Sequence, residues 1–241
     1  MNTNIITQNT VHKPSKVCVP LAEAMNWNGT HHNITRKLDG EFDVFEFNSG
    51  GLTAVLACEL MQFKRNGFFT PSDHAKFASH GVWRGVYDLL SIGGLDMRRA
   101  PLRLRWAQLC AIAPRFDAQS GLFLAEAGFG GDFVAAVMAD GAEGCVAKLW
   151  SGHWGETMTA AKRLQTFSCS VTRLATSSQS VGISDATTGQ PRGNVCLFSG
   201  KCDRVRVGSK IKVEGLGLGP SGSIREPRIC SDSENSWLIS Y

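Results

Sequence analysis

The sequence predicts a mainly β protein, an antiparallel jelly-roll-like sandwich with a few inserted α-helices. Three observations carry that expectation. Glycine is abundant, at 26 of 241 residues against 8 prolines, which suits many turns between short strands better than a helical bundle. Short apolar or alternating runs recur along the chain, among them "EFDVFEFN", "GLFLAEAG", "EGCVAKLW" and "QTFSCSVTRLA". Strands and helices do not alternate regularly, which argues against a doubly wound parallel sheet. A hydrophobic content of 43% is enough for a packed core.

Taken in order, residues 1–16 are Asn/Thr-rich and read as a loose tail. Glu41 to Asn48 mixes aromatic and β-branched residues with acids, as a strand does. "GLTAVLACELMQF" fits strand or helix equally, because its periodicity favours neither. A helix is predicted from "TPSD" onward. Thr70 caps it, Pro71 takes the first position, Asp73 completes a capping box, and Gly93-Gly94 stops it. Phe77, Val82, Val86, Leu89 and Leu90 keep helical spacing along it. "PLRLRWAQLCAIAP" alternates at first, with Leu102, Leu104 and Trp106 opposite Arg103 and Arg105, and predicts a strand.

"GLFLAEAG" is a further short strand, and Phe133, Val134, Val137 and Met138 predict a helix ending at Asp140-Gly141. "EGCVAKLW" is read as a strand and "ETMTAAKRL" as a helical turn or two. "QTFSCSVTRLA" is a strand with Phe167, Cys169 and Val171 on one side, and "GNVCLF" and "DRVRVGSKIKVEG" complete the set. The domain organisation expected is a tail at 1–16, a single β-rich domain at 17–214 and a Gly/Ser-rich tail at 215–241.

Composition excludes little beyond that. The formal net charge of +4 permits an anionic partner without requiring one. No apolar leader opens the chain, and the apolar run from Leu52 to Leu60 contains Glu59 and is too short to span a bilayer. A soluble chain with its 8 cysteines as free thiols is the expectation. No metal, cofactor or catalytic motif stands out. "GLGPSG" matches G-x-G-x-x-G but lacks the strand and helix that a dinucleotide site needs. Cys196, Cys202 and His153 have no zinc-ligand spacing. The residues therefore predict a protein without enzymatic activity and without a cofactor.

The strongest charge pattern is "DRVRVGSKIKVE". Read as one strand, it puts Arg204, Arg206, Lys210 and Lys212 on one face and Val205, Val207, Ile211 and Val213 on the other. Such a stripe can follow a phosphate backbone without reading bases. A solvated outer face or edge protection is the plain alternative. Arg103 and Arg105 repeat the design upstream, in the strand after Arg98 and Arg99, and together these eight residues are the expected RNA contacts.

One region carries a family likeness. "SDHAKFASHG", "YDLLSIGGLDM" and "QLCAIAPRFDAQSGLFLAEAG" together resemble the central region of plant-virus cell-to-cell movement proteins, in the branch shared by cucumoviruses, bromoviruses and umbraviruses. The matching elements are His74 to Ser79, Gly94 to Met97, Leu109 to Ala111, Asp117 to Gly121, and Leu122 to Glu126. Glu126 stands where that superfamily has an aspartate, and is expected to serve structure or assembly. The resemblance covers about a quarter of the chain. It implies a non-enzymatic protein that binds single-stranded viral RNA, self-associates, and works in the host cytoplasm and at plasmodesmata with peripheral membrane contact. The same superfamily is related to jelly-roll capsid proteins, so a coat protein is the alternative. Residues 1–16 carry only Lys13 and Lys16 in place of the Arg-rich arm such a subunit has.

Overall fold

The computed structural model describes residues 11–62, 82–116, 121–174, 180–196, 205–219 and 221–230. The chain divides into two compact units, residues 1–163 and 164–241. The expected domain boundaries, after residues 16 and 214, fall inside these units.

The first unit contains two sheets. One consists of β1 (Lys16–Val19), β2 (His32–Lys37), β8 (Ala127–Gly128), β9 (Gly144–Leu149) and β10 (Met158–Lys162), in the order β1-β10-β9-β2-β8. The other runs β3 (Glu41–Ser49), β4 (Leu52–Gln62), β5 (Val82–Ile92) and β6 (Leu95–Asp96), with β7 (Leu122–Leu124) beside β5. Among the described residues three α-helices accompany them: α1 (Leu21–Ala24), α2 (Leu102–Ile112) and α3 (Gly130–Ala139). α3 covers the first sheet, burying Val134, Val137 and Met138 with Ile34 and Ala147. α2 covers the second, burying Leu109 and Ile112 with Leu56, Val86 and Leu89.

The second unit is a closed barrel of β11 (Gln165–Leu174), β12 (Ser180–Asp185), β13 (Pro191–Cys196), β14 (Lys210–Gly215) and β15 (Arg228–Ile229), in the order β11-β12-β13-β15-β14. Cys169, Val171, Val181, Ile183, Val195 and Val213 fill it. Closure leaves no free sheet edge. Of the segment expected as a C-terminal tail, Ile224, Ile229 and Cys230 are buried.

The protein is mainly β, but its sheets are mixed rather than purely antiparallel. β1 runs parallel to β10, β7 to β5 and β15 to β13. Three segments differ from the elements their local pattern predicts. Val82–Ile92 is a strand, because residues 85–91 are buried on both faces and such a strand has no two-residue alternation to betray it. The start of the predicted helix, at Thr70 to Phe77, lies outside the described residues.

"LRLRWAQLCAI" is the helix α2 instead of a strand, burying Leu102, Arg105, Leu109 and Ile112. That is a helical spacing, hidden in the sequence because an arginine holds one of its inward positions. "MTAAK" is the strand β10, its alanines buried between β1 and β9, so packing overrides their helix preference. The strands at "EFDVFEFN", "EGCVAKLW" and "QTFSCSVTRLA" and the helix before Asp140 form as their patterns predict.

Candidate active site

Between its two sheets the first unit holds a cleft whose polar lining includes Lys16 from β1, Thr35 and Lys37 from β2, Glu59 from β4 and Lys148 from β9. Leu38, Tyr87, Val146 and Met158 supply its apolar surface. β2 is a central strand, flanked by β9 and β8, and its last four residues are all buried. Lys37 is consequently 9% exposed, a rare position for a lysine.

Each buried charge is matched. Lys37 Nζ donates to Glu143 Oε2 at 2.6 Å, and Lys162 Nζ lies 3.4 Å from the other oxygen of the same carboxylate. Lys148 Nζ donates to the Tyr87 carbonyl at 3.1 Å, lies 3.5 Å from Asp88 Oδ2, and sits 4.3 Å from the Tyr87 ring centroid. Asp88 in turn accepts two bonds from Arg105, at 2.8 and 3.1 Å.

Two glycines make this packing feasible. A Cβ at Gly144 would stand 2.0 Å from the Ala161 carbonyl oxygen, so glycine lets β9 approach β10 directly after Glu143. A Cβ at Gly85 would stand 2.0 Å from Leu38 Cδ1, the side chain that follows Lys37.

The electrostatics favour an anion with hydroxyl groups. Burial, reinforced by Lys37 and Lys13, lowers the Lys16 pKa to about 8. Burial also lowers that of Lys148, with Asp88 opposing. Glu59 Oε2 and the Tyr87 hydroxyl are buried without a hydrogen-bond partner. A buried polar group left unpaired costs about 1–3 kcal/mol, and more when charged, so these two atoms mark positions that a ligand's donors and acceptors would fill. Burial disfavours the thiolates of two core cysteines, pushing Cys145 up to about 12 and Cys58 higher still. Among the described residues no group of three or more His, Cys, Asp or Glu side chains is placed to hold a metal ion. No helix among them is long and apolar enough to cross a membrane.

The residues expected to contact RNA are divided between the two units. Arg99 and Arg103 are exposed on the first unit, and Arg98 is bound to Asp96 at 2.7 Å. Arg105 is 2% exposed and serves the Asp88 ion pair, so it cannot reach a surface ligand. The stripe read as one strand is interrupted by a turn at Val207-Gly208. Lys210 and Lys212 share a face of β14 while Arg206 lies outside it, and Arg204 lies outside the described residues. Glu126 is half exposed, with Oε2 3.5 Å from Arg36 Nη1.

Lys37, Glu59, Glu143 and Lys148 escaped sequence reading, although a signal was there. Glu59 in "AVLACELM", Asp88 in "VYDLLSI" and Glu143 before "GCVAKL" are acids in or beside apolar strands. An acid at such a place needs a buried cation nearby.

No protein-family model matches the sequence, and no curated protein matches it. Solved structures match by fold. A Lig E DNA ligase, solved in a structure–function study of DNA binding with a minimal scaffold, has a TM-score of 0.65 at 11% identity, over 91% of this chain and 99% of that one. The ligase domain of M. tuberculosis LigD has a TM-score of 0.54 at 14% identity, over 93% and 95% of the two chains. Mycobacterial DNA ligase D complexed with ATP and MES has 0.52 at 14%, with the same coverage. The fold neighbours are DNA ligases.

At these identities the likeness to ligases is one of fold, and it overturns the viral reading. The resemblance to movement proteins, and with it the coat-protein alternative, rested on short motifs that the ligase-like fold accounts for differently. "YDLLSI" is the buried centre of β5 and "QLCAI" is the end of α2. The expectations of a protein without enzymatic activity, of single-stranded viral RNA and self-association as its partnerships, and of a place at plasmodesmal membranes fall with that resemblance, because the neighbours are enzymes described with DNA and ATP.

Proposed function

We propose that the chain is an ATP-dependent nucleotidyltransferase that seals breaks in DNA, with Lys37 as its nucleophile. The observation that carries this reading is the buried Lys37–Glu143 pair in a cleft rich in lysine. Lys148 is held at three points and Lys16 is 4.0 Å from its nearest carboxylate. Of the three lysines that line the cleft, Lys37 has the closest carboxylate, Glu143 at 2.6 Å, which is the arrangement of an amine beside its base.

In the proposed reaction Lys37 Nζ attacks the α-phosphorus of ATP. An N–P bond forms, the P–O bond to pyrophosphate breaks, and Glu143 takes the amine proton. The nucleotidyl group then passes to the 5′-phosphate at a break, and the neighbouring 3′-hydroxyl displaces it as the strand is sealed. Lys16, Lys148 and Lys162 offset the phosphate charge. Leu38, Val146 and Met158 offer the base an apolar bed, and Glu59 Oε2 accepts from a sugar hydroxyl.

Arg98, Arg99 and Arg103 on the first unit, and Arg206, Lys210 and Lys212 on the barrel unit, serve in this reading as phosphate contacts on DNA. A five-stranded barrel is the architecture with which OB-folds take up oligonucleotides. The test is sealing of a nicked duplex with ATP. The chain is expected to join the strands and release pyrophosphate, and Lys37→Ala to do neither. Sealing by Lys37→Ala at the wild-type rate would refute the assignment.

A further inference from the structure

The segment ahead of β1, expected to be loose, is held against the first unit at two points. Val11 is 6% exposed and belongs to the apolar cluster of Leu38 and Tyr87, and Pro14 is buried. Lys13 lies between these anchors. Its Nζ stands 5.7 Å from the Phe42 ring centroid and donates to Glu59 Oε1 at 2.6 Å. The next cation, Lys16, is at 4.0 Å from the same oxygen. Glu59 Oε2, the other oxygen, is buried without a hydrogen-bond partner.

The terminal torsion of a glutamate is broad and nearly two-fold, so packing alone fixes it poorly. A cation clamped on one carboxylate oxygen decides where the other points. A backbone fixed on both sides makes the Lys13 clamp firmer than an ordinary surface lysine's, whose ion pairs contribute little.

We propose that Lys13 is a positioning residue for the nucleotide sugar: by holding Glu59 Oε1 it presents Oε2 to one ribose hydroxyl, and so sets the preference for ribonucleotides over deoxyribonucleotides. This rests on the nucleotide-binding reading of the cleft. An oxygen acceptor committed to a hydroxyl discriminates strongly against the sugar that lacks it, because the carboxylate is then left unpaired.

The experiment measures dissociation constants of the full chain by calorimetric titration with α,β-methylene ATP and with its 2′-deoxy and 3′-deoxy forms, none of which can be cleaved at the α-phosphorus. The wild type is expected to bind the ribo form roughly tenfold or more tightly than one of the deoxy forms. Which deoxy form is penalised identifies the hydroxyl. Lys13→Met is expected to reduce that preference to within about twofold, with its melting temperature near that of the wild type. Lys13→Arg, which keeps the cation, is expected to restore it. A Lys13→Met variant that binds and keeps the wild-type preference overturns the role of Lys13 alone. A wild type that binds none of the three overturns this inference together with the nucleotide reading.

Discussion

Lys16 shows how one residue can couple the cleft's chemistry to its stability. Its ammonium is disfavoured by burial and by Lys37 and Lys13, which brings its pKa to about 8. Below that pH it is charged and attracts phosphate; above it, it is neutral. ATP binding is therefore expected to weaken as the pH rises through about 8, and the step to be absent in Lys16→Met. Stability runs the other way. Between the folded value of about 8 and the unfolded value of 10.5 the unfolded chain binds more protons, so this group's contribution to stability rises with pH across that window. Titration calorimetry and chemical denaturation over the same pH range check both signs. At this scale the sequence conceals the site for a physical reason. "HNITRKLDG" looks like a polar loop, yet it is the central strand β2 and its terminal turn, because Lys37 and Arg36 find acidic partners in Glu143 and in Asp140 with Glu126. Those partners are about a hundred residues away in the chain, beyond the reach of local pattern.

Two elements are pinned to the site by buried polar packing. α2 is tied to β5 through Arg105, whose guanidinium meets Asp88 twice and also donates to the Ala100 and Gly152 carbonyls. Both side chains are 2% exposed. Arg105→Ala is expected to destabilise the first unit by about 3–5 kcal/mol in urea denaturation, because it removes both hydrogen bonds of a buried carboxylate and leaves it only the more distant Lys148. The approach of β9 to β10 depends on Gly144, where a methyl would meet the Ala161 carbonyl at 2.0 Å. Gly144→Ala is expected to cost about 1–3 kcal/mol and to slow nucleotidyl transfer by more than the lost folded fraction explains, since it displaces Glu143; the check is activity corrected for folded protein. Elements with one solvated face, such as β3 and β11, follow their sequence patterns. Several elements in and around the site, β2, β5, β10 and α2, do not, because they are covered on both faces or turn a charge inward.

For the molecule as a whole, the strand-rich character was legible in glycine content and alternation, while the division into a two-sheet unit and a barrel was not. The barrel closes through β15, a two-residue strand in a Gly/Ser-rich stretch that has no strand signature of its own. The proposed DNA contacts of the basic residues are tested at this scale. Changing Arg99, Arg103, Arg206 and Lys210 singly to Gln is expected to weaken binding to nicked duplex DNA without sequence preference. Each change is expected to reduce the slope of log affinity against log salt by roughly one. Arg105→Gln, by contrast, acts on stability and leaves that slope unchanged. The most direct test of Lys37 as the nucleophile is to incubate the purified chain with ATP labelled at the α-phosphate or at the γ-phosphate, and to map any covalent label by peptide mass spectrometry. Stable label is expected from the α-position only, carried as one AMP on Lys37. Label from the γ-phosphate, AMP on another residue, or no adduct on a chain that nonetheless seals DNA with ATP would contradict it.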